Sequence, residues 1–258
     1  MSAERPSRAQ AALGRPRVHL RRTDSTNERA RELAIAGAPH GTLVTASEQT
    51  AGRGRQGRRW SAAPGSSLLM SLVLRSPPPL LPLVAAVAVC DVVSEQAMIK
   101  WPNDIVVREE AAGGAAVLAK LAGILIEGRP QEGWAVLGVG VNVAVRLDEL
   151  PAELRGGQPD GAPSSSGRPA ATLGKSAEEI EPTLARLLDA LERRVAEPAE
   201  ATLEAWRSRD ALNGREIAWS GGRGRAQGID GVGRLVVALA GGGHTALSAG
   251  EVHLEGIG

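Results

Sequence analysis

The chain has no phenylalanine, no tyrosine and a single cysteine, Cys90, in 258 residues. Its core must therefore be filled by Leu, Val, Ala and the five Trp, and it lacks the Phe and Tyr rings on which nucleic-acid bases commonly stack. One thiol excludes an internal disulfide. Set in the apolar run 83–93, Cys90 reads as a small buried hydrophobe in a protein of a reducing compartment.

Long apolar runs are also missing. Residues 80–93 contain Pro82 and Asp91 and fall short of the ~20 residues that span a bilayer. Residues 1–17 are rich in Ala, Arg and Pro without the apolar segment of a secretory signal or anchor, and read as a disordered tail. A soluble, cytoplasmic protein with no membrane partner is expected. The net charge of +1 lacks the broad basic excess of a nucleic-acid-wrapping surface, so no nucleic-acid partner is expected.

Lysine and asparagine are scarce. Of 30 basic residues only Lys100, Lys120 and Lys175 are lysine, and the asparagines are Asn27, Asn103, Asn142 and Asn213. Where the background so favours arginine, a retained lysine suggests a site that needs a slim ammonium in place of a planar fork. Most of these rare residues fall inside the motifs below.

Hydrophobic periodicity predicts strands at 18–20, 42–46, 98–101, 105–107, 119–127 and 134–143, an alternating strand at 67–74, and a buried helix at 82–93. A helix over 29–36 follows Ser25 and Glu28, spaced as a capping box. Residues 156–167, rich in Gly, Pro and Ser, read as a mobile loop. Ile180, Leu184, Leu187, Leu188, Leu191 and Val195 mark an amphipathic helix, with a shorter one at 199–207. Short β-like runs at 216–219, 235–240 and 251–254 between glycine turns predict a small barrel. The expected division is a tail at 1–17, a main domain at 18–210 and a small domain at 211–258.

Three segments carry the chemistry. The first, residues 48–60, holds Gly52-Arg53-Gly54-Arg55-Gln56-Gly57-Arg58-Arg59-Trp60. It matches G-x-G-x-x-G formally, but Pro64 and Gly65 stop any helix and no carboxylate lies between Met70 and Leu81, so a dinucleotide fingerprint is excluded. Four guanidiniums on a glycine-rich loop suit phosphate oxygens, although an ordinary solvated basic turn has the same composition. The second is Lys100-Trp101-Pro102-Asn103-Asp104, followed by Lys120 in the apolar run 118–126. A lysine there is costly to bury alone and is expected to face a polar cleft; Asp104 suits either a turn or Mg²⁺ beside phosphates. The third, residues 138–143, places Gly138 and Gly140 in a strand where a ligand or another backbone can come close, although tight sheet packing calls for the same glycines.

In this order, Asp24-Ser25-Thr26-Asn27, the arginine loop, Lys100 to Asp104, Lys120-Leu121-Ala122-Gly123-Ile124-Leu125-Ile126-Glu127 and the Gly138 segment resemble the biotin protein ligase family from about Val18 onward. The resemblance implies an α+β fold: a class II aminoacyl-tRNA synthetase-like mixed sheet with flanking helices, then a small C-terminal SH3-like β-barrel. It implies ATP-dependent formation of biotinyl-AMP and transfer of biotin to a lysine of a biotin carboxyl carrier protein, with ATP, biotin and Mg²⁺ as the small molecules. The short polar N-terminal stretch implies no repressor activity, and a homodimer through the sheet edge or barrel is compatible with the sequence. Two departures stand out: aliphatic residues replace aromatic ones common in the family, and the Ala/Gly-rich link 109–119 is atypical.

By the same resemblance, Ser25, Thr26, Asn27 and Gln49 contact biotin, and Arg53, Gly54 and Arg55 shape its pocket and close over the adenylate. Lys120 touches biotin and the reacting phosphate; Lys120, Arg55 and Asp104 are the catalytic candidates, with Asp104 also the metal candidate. Arg53, Arg55, Arg58, Trp60, Lys100, Asn103 and Asn142 form the nucleotide side. Two rivals remain: a lipoate-protein ligase or octanoyltransferase of the same architecture, and a nucleic-acid-binding module built on the arginine loop and the barrel.

Overall fold

The computed structural model describes residues 12–110, 116–129, 132–150, 169–248, 250 and 252–254; the expected loop at 156–167 lies outside them. Within the stretch expected as a tail, the Gly14 amide donates to Gly41 O at 2.9 Å and Leu13 packs against the core. Among the described residues no helix is long and apolar enough to cross a membrane.

A mixed seven-stranded sheet organises the larger part of the chain. Its strands are β1 (Arg17–Leu20), β2 (Leu43–Ala46), β3 (Ser67–Arg75), β4 (Met98–Lys100), β5 (Asp104–Glu110), β6 (Ala116–Arg129) and β7 (Trp134–Asn142), in the order β1-β2-β3-β7-β6-β5-β4. β1 and β2 run parallel and every other neighbouring pair antiparallel. The helices are α1 (Thr26–Ile35), α2 (Leu81–Val93), α3 (Ile180–Ala196) and α4 (Ala199–Arg207).

β3 was expected to alternate between core and solvent. Instead every residue from Ser67 to Leu74 is buried, because both faces of the sheet are covered. Leu68, Met70, Leu72 and Leu74 join the main core with α2, α3 and α4, while Val73 joins Val44 and Val136 beneath Ala30 and Ala34 of α1. The period of two thus separates two buried faces. α2 is buried almost all round, and Cys90 sits there as the sequence suggested, 1% exposed, with burial pushing its thiol up to about 12. Burial also works against the charge of Asp91 on α2. Arg194 and Arg209, each 2.8 Å away, nevertheless hold it below the usual carboxylate range and tie α2 to α3 and to the segment after α4.

The second sheet comprises β8 (Glu216–Trp219), β9 (Gly222–Ile229), β10 (Leu235–Ala238), β11 (His244–Leu247) and β12 (His253–Leu254), antiparallel in the order β11-β10-β9-β8-β12. Among the described residues β11 and β12 do not pair, so the expected barrel is drawn as an open sheet. β9 and β11 were not anticipated. The inward positions of β9 are Gly224, Ala226 and Gly228 in place of β-branched residues, and a Cβ on Gly224 would meet Val237 Cγ1 at 2.9 Å. This sheet docks on the β4 edge through Lys100 Nζ, 2.6 Å from Val252 O, and Trp101 Nε1, 3.1 Å from Gly233 O.

Candidate active site

The face of the large sheet beneath α1 opens into a cleft of about 380 Å³. Its floor is β7, where Val136, Gly138, Gly140 and Asn142 alternate onto the same face, opposite Glu127, Leu125 and Gly123 of β6. The glycines let side chains pack close against the strand while themselves lining the cleft. A Cβ on Gly138 would lie 2.8 Å from Asn27 Cγ, and one on Gly140 would lie 2.7 Å from Trp60 Cε2. Asn27, Trp60 and then Asn142 with Lys120 therefore stand in sequence along a stretch of roughly 13 Å, four residues of strand.

One end is a polar wall at the start of α1. Ser25 occupies the N-cap position but makes no side-chain cap hydrogen bond, so the expected capping box does not form. Gln49 replaces it from across the fold, its Oε1 accepting the Thr26 amide at 2.7 Å and the Thr26 hydroxyl at 3.1 Å. Glu28 turns away to Arg31 and Arg53, which hold its carboxyl below the ordinary range. Ser71 lies fully buried behind the wall, 2.6 Å from Asn27 Oδ1 and 2.9 Å from Thr26 Oγ1. A hydroxyl has one proton and an amide oxygen only accepts, so Ser71 donates to Asn27. The Asn27 Nδ2 donates to Glu127 Oε2 at 2.9 Å, leaving Asn27 largely committed to the scaffold. Ser25, Thr26 and Gln49 line the cleft beside it.

The other end is cationic. Lys120 reaches it through an irregularity in β6: Asp104 pairs with Gly123 and Val106 with Lys120, so one extra residue is accommodated between them. Residues 120 and 123 would otherwise point to opposite faces, and the bulge turns the ammonium into the cleft. There Nζ lies 2.7 Å from Asp104 Oδ1 and 5.6 Å from the Trp60 ring centroid. Asn142 also lines the cleft, but its Nδ2 donates to Ala171 O at 2.9 Å, and Asn103 likewise holds Ile124 O at 2.9 Å.

The arginine loop closes the cleft as an ordered hairpin: Gly54 N donates to Arg58 O at 2.7 Å and Trp60 N to Gly52 O at 2.9 Å. Arg53, Gly54, Arg55 and Arg58 line the cleft. The Trp60 indole N–H is buried without a hydrogen-bond partner among the described residues.

The structure thus brings every sequence-predicted site residue to this cleft except Lys100, which is 2% exposed and gives its ammonium to Val252 O. Sequence reasoning missed Ser71, Glu28 and the partnerships of Glu127, as well as His253 and Leu254, which reach the cleft from β12. A lone serine within the apolar run 68–74 was the available signal, since a buried hydroxyl requires a partner.

Comparison with known proteins agrees with this fold. The Biotin/lipoate A/B protein ligase family matches residues 19–143. The chain is 39% identical over 155 residues to the bifunctional ligase/repressor BirA of Bacillus spizizenii, a match covering 55% of this chain and 45% of that relative. It spans less than half of that protein. The biotin--[acetyl-CoA-carboxylase] ligase of Mycobacterium tuberculosis is 33% identical over 256 residues, covering 90% of this chain and 87% of the relative. Biotin protein ligase from Aquifex aeolicus, solved in complex with biotin and ATP, superposes with a TM-score of 0.71 at 25% identity, covering 93% of this chain and 99% of that one. With a relative this similar over nearly its whole length, the chain belongs to the biotin protein ligases of the biotin/lipoate A/B protein ligase family.

Proposed function

We propose that the chain activates biotin with ATP to biotinyl-5'-AMP and transfers the biotin to a lysine of a carboxyl carrier protein. The observation that carries this reading is a single cleft with a hydrogen-bonding wall at one end and a lysine–carboxylate pair under an arginine-bearing hairpin at the other. The bicyclic head of biotin is largely apolar with a ureido group, which calls for a few well-placed donors and acceptors. Ser25, Thr26 and Gln49 supply them, with Asn27 and Ser71 holding the wall in shape.

In the first step a biotin carboxylate oxygen attacks the α-phosphorus, the bond to the β-phosphate bridge breaks and pyrophosphate leaves. Charge gathers on the phosphate oxygens, and fixed cations stabilise it without reorganising. Lys120 is one, held by Asp104 at 2.7 Å; Arg55 and Arg58 on the hairpin are others. Among the described residues no group of three or more His, Cys, Asp or Glu gathers to hold a metal ion. One carboxylate still fits Mg²⁺, which takes most of its ligands from water and substrate phosphates. Asp104 would hold it, and the ion would neutralise phosphate charge.

In the second step a neutral lysine amine of the carrier attacks the acyl carbon, its proton is released, and AMP leaves. The hairpin shields the mixed anhydride from water until then. The buried, unpaired Cys90 fits the reducing cytoplasm. The test is incubation of the full chain with ATP, Mg²⁺, biotin and a biotin carboxyl carrier domain. A carrier mass increase of one biotin is expected, lost when the target lysine is replaced; an unmodified carrier would refute the reading.

A further inference from the structure

Glu127 closes the lysine motif on β6, yet the activity described above gives it no part. It pairs with Val136, on the cleft face of the sheet. One carboxylate oxygen accepts Asn27 Nδ2 at 2.9 Å, and the other lies 3.4 Å from the Arg53 guanidinium. A second nitrogen of Arg53 lies 2.8 Å from Glu28 Oε2. The hairpin is therefore clasped from two elements, α1 through Glu28 and β6 through Glu127. One of the two carboxylates also orients the polar wall: with Ser71 on its Oδ1 and Glu127 on its Nδ2, the Asn27 amide has a single orientation over Gly138.

We propose that Glu127 is a positioning residue that couples the polar wall of the acyl pocket to closure of the arginine hairpin, Arg53 acting as the hairpin's half of an ion-pair clasp. This deepens the biotin-ligase reading and rests on it for the identity of the acid. A clasp made of part-exposed groups is reversible: side-chain exposure is 47% for Arg53, 25% for Glu127 and 23% for Glu28. Each pair of this kind is worth about a factor of two to five in an equilibrium constant and is weakened by salt. Such strength favours the closed hairpin while letting it open once per turnover.

The first readout needs no substrate. Arg53, Arg55, Arg58 and Arg59 make the hairpin a run of trypsin sites, and the clasp protects them by holding the hairpin to the body. Glu127→Gln keeps an acceptor for Asn27 and removes the charge facing Arg53. It should speed tryptic cleavage within 53–59 about fivefold at low salt, with the difference from wild type vanishing at high salt. Glu127→Asp, which keeps the charge, should restore much of the protection, and Arg53→Met combined with Glu127→Gln should open the hairpin no more than Arg53→Met alone.

The second readout uses the full chain with ATP, Mg²⁺ and biotin. Glu127→Gln should raise the biotin KM about fivefold with kcat changed less than twofold, and should release biotinyl-AMP faster when no carrier is present. Unchanged cleavage and release in Glu127→Gln, or effects of the two substitutions that multiply, would overturn the clasp. Faster cleavage in a chain that shows no exchange with biotin would leave the clasp standing on proteolysis and overturn only the identity of the acid.

Discussion

Replacing Gly138 by alanine should damage the pocket from below. The new Cβ would lie 2.8 Å from Asn27 Cγ and 3.1 Å from Nδ2, where ordinary contacts begin at 3.4 Å, so Asn27 has to move. Moving it breaks the bonds to Ser71 at 2.6 Å and Glu127 at 2.9 Å. Each such hydrogen bond contributes about 1 kcal/mol net, and the fully buried Ser71 hydroxyl turns to its other acceptor, Thr26 Oγ1 at 2.9 Å. Overpacking adds about 1 kcal/mol or more, for a total of roughly 3 kcal/mol. In a chain of this size that is a melting-temperature drop of about 10 °C. Denaturant unfolding measures the loss, and biotin titration should show weakened binding alongside it. The companion Gly138→Ala/Asn27→Ala removes the clash, so its loss should fall short of the sum of the two single losses by about 1 kcal/mol or more. A Gly138→Ala chain with wild-type stability and biotin affinity, or an additive double variant, would refute the packing argument.

Lys120→Ala should slow adenylate formation by about two to three orders of magnitude, since a fixed cation at the reacting phosphate is lost. Lys120→Arg should recover little of it if the slim ammonium matters; near-wild-type pyrophosphate release in both would remove Lys120 from the chemistry. Arg55→Ala should let biotinyl-AMP escape, read as biotin on lysines of a bystander protein, and full retention would count against the hairpin as a lid. Asp210, between α4 and β8, has its carboxyl pushed up to about 6 by burial, against hydrogen bonds from the Leu212 and Asn213 amides that lower it. A pKa raised in the folded state means that the folded chain holds the proton more tightly. The contribution is therefore present below pH about 4 and lost as pH rises through about 6, roughly 3 kcal/mol in all. Asp210→Asn should flatten that part of the stability–pH curve; an unchanged slope between pH 4 and 7 would exclude Asp210 as its source.

Much of the fold was legible because both periodicities are clean in this sequence. α4 has the bounds expected from its pattern, and β6 and β7 lie where the apolar runs placed them. Contacts set by distant residues were not legible. The bulge that aims Lys120 has no local signature in Leu121, and nothing near Ser25 announces that Gln49 takes over the helix start. Lys100 sat in a motif with chemistry around it, yet its ammonium serves the docking of the second sheet at Val252. β9 was invisible because its inward residues are Gly and Ala, chosen for closeness to β10 and carrying no strand preference of their own.

The most direct test of the central claim is ATP–pyrophosphate exchange by the purified chain with Mg²⁺, using biotin, lipoate and octanoate in parallel. Exchange that depends on biotin and is negligible with the other two acids is the predicted result. Exchange driven by lipoate or octanoate, or none with any acid, would contradict it.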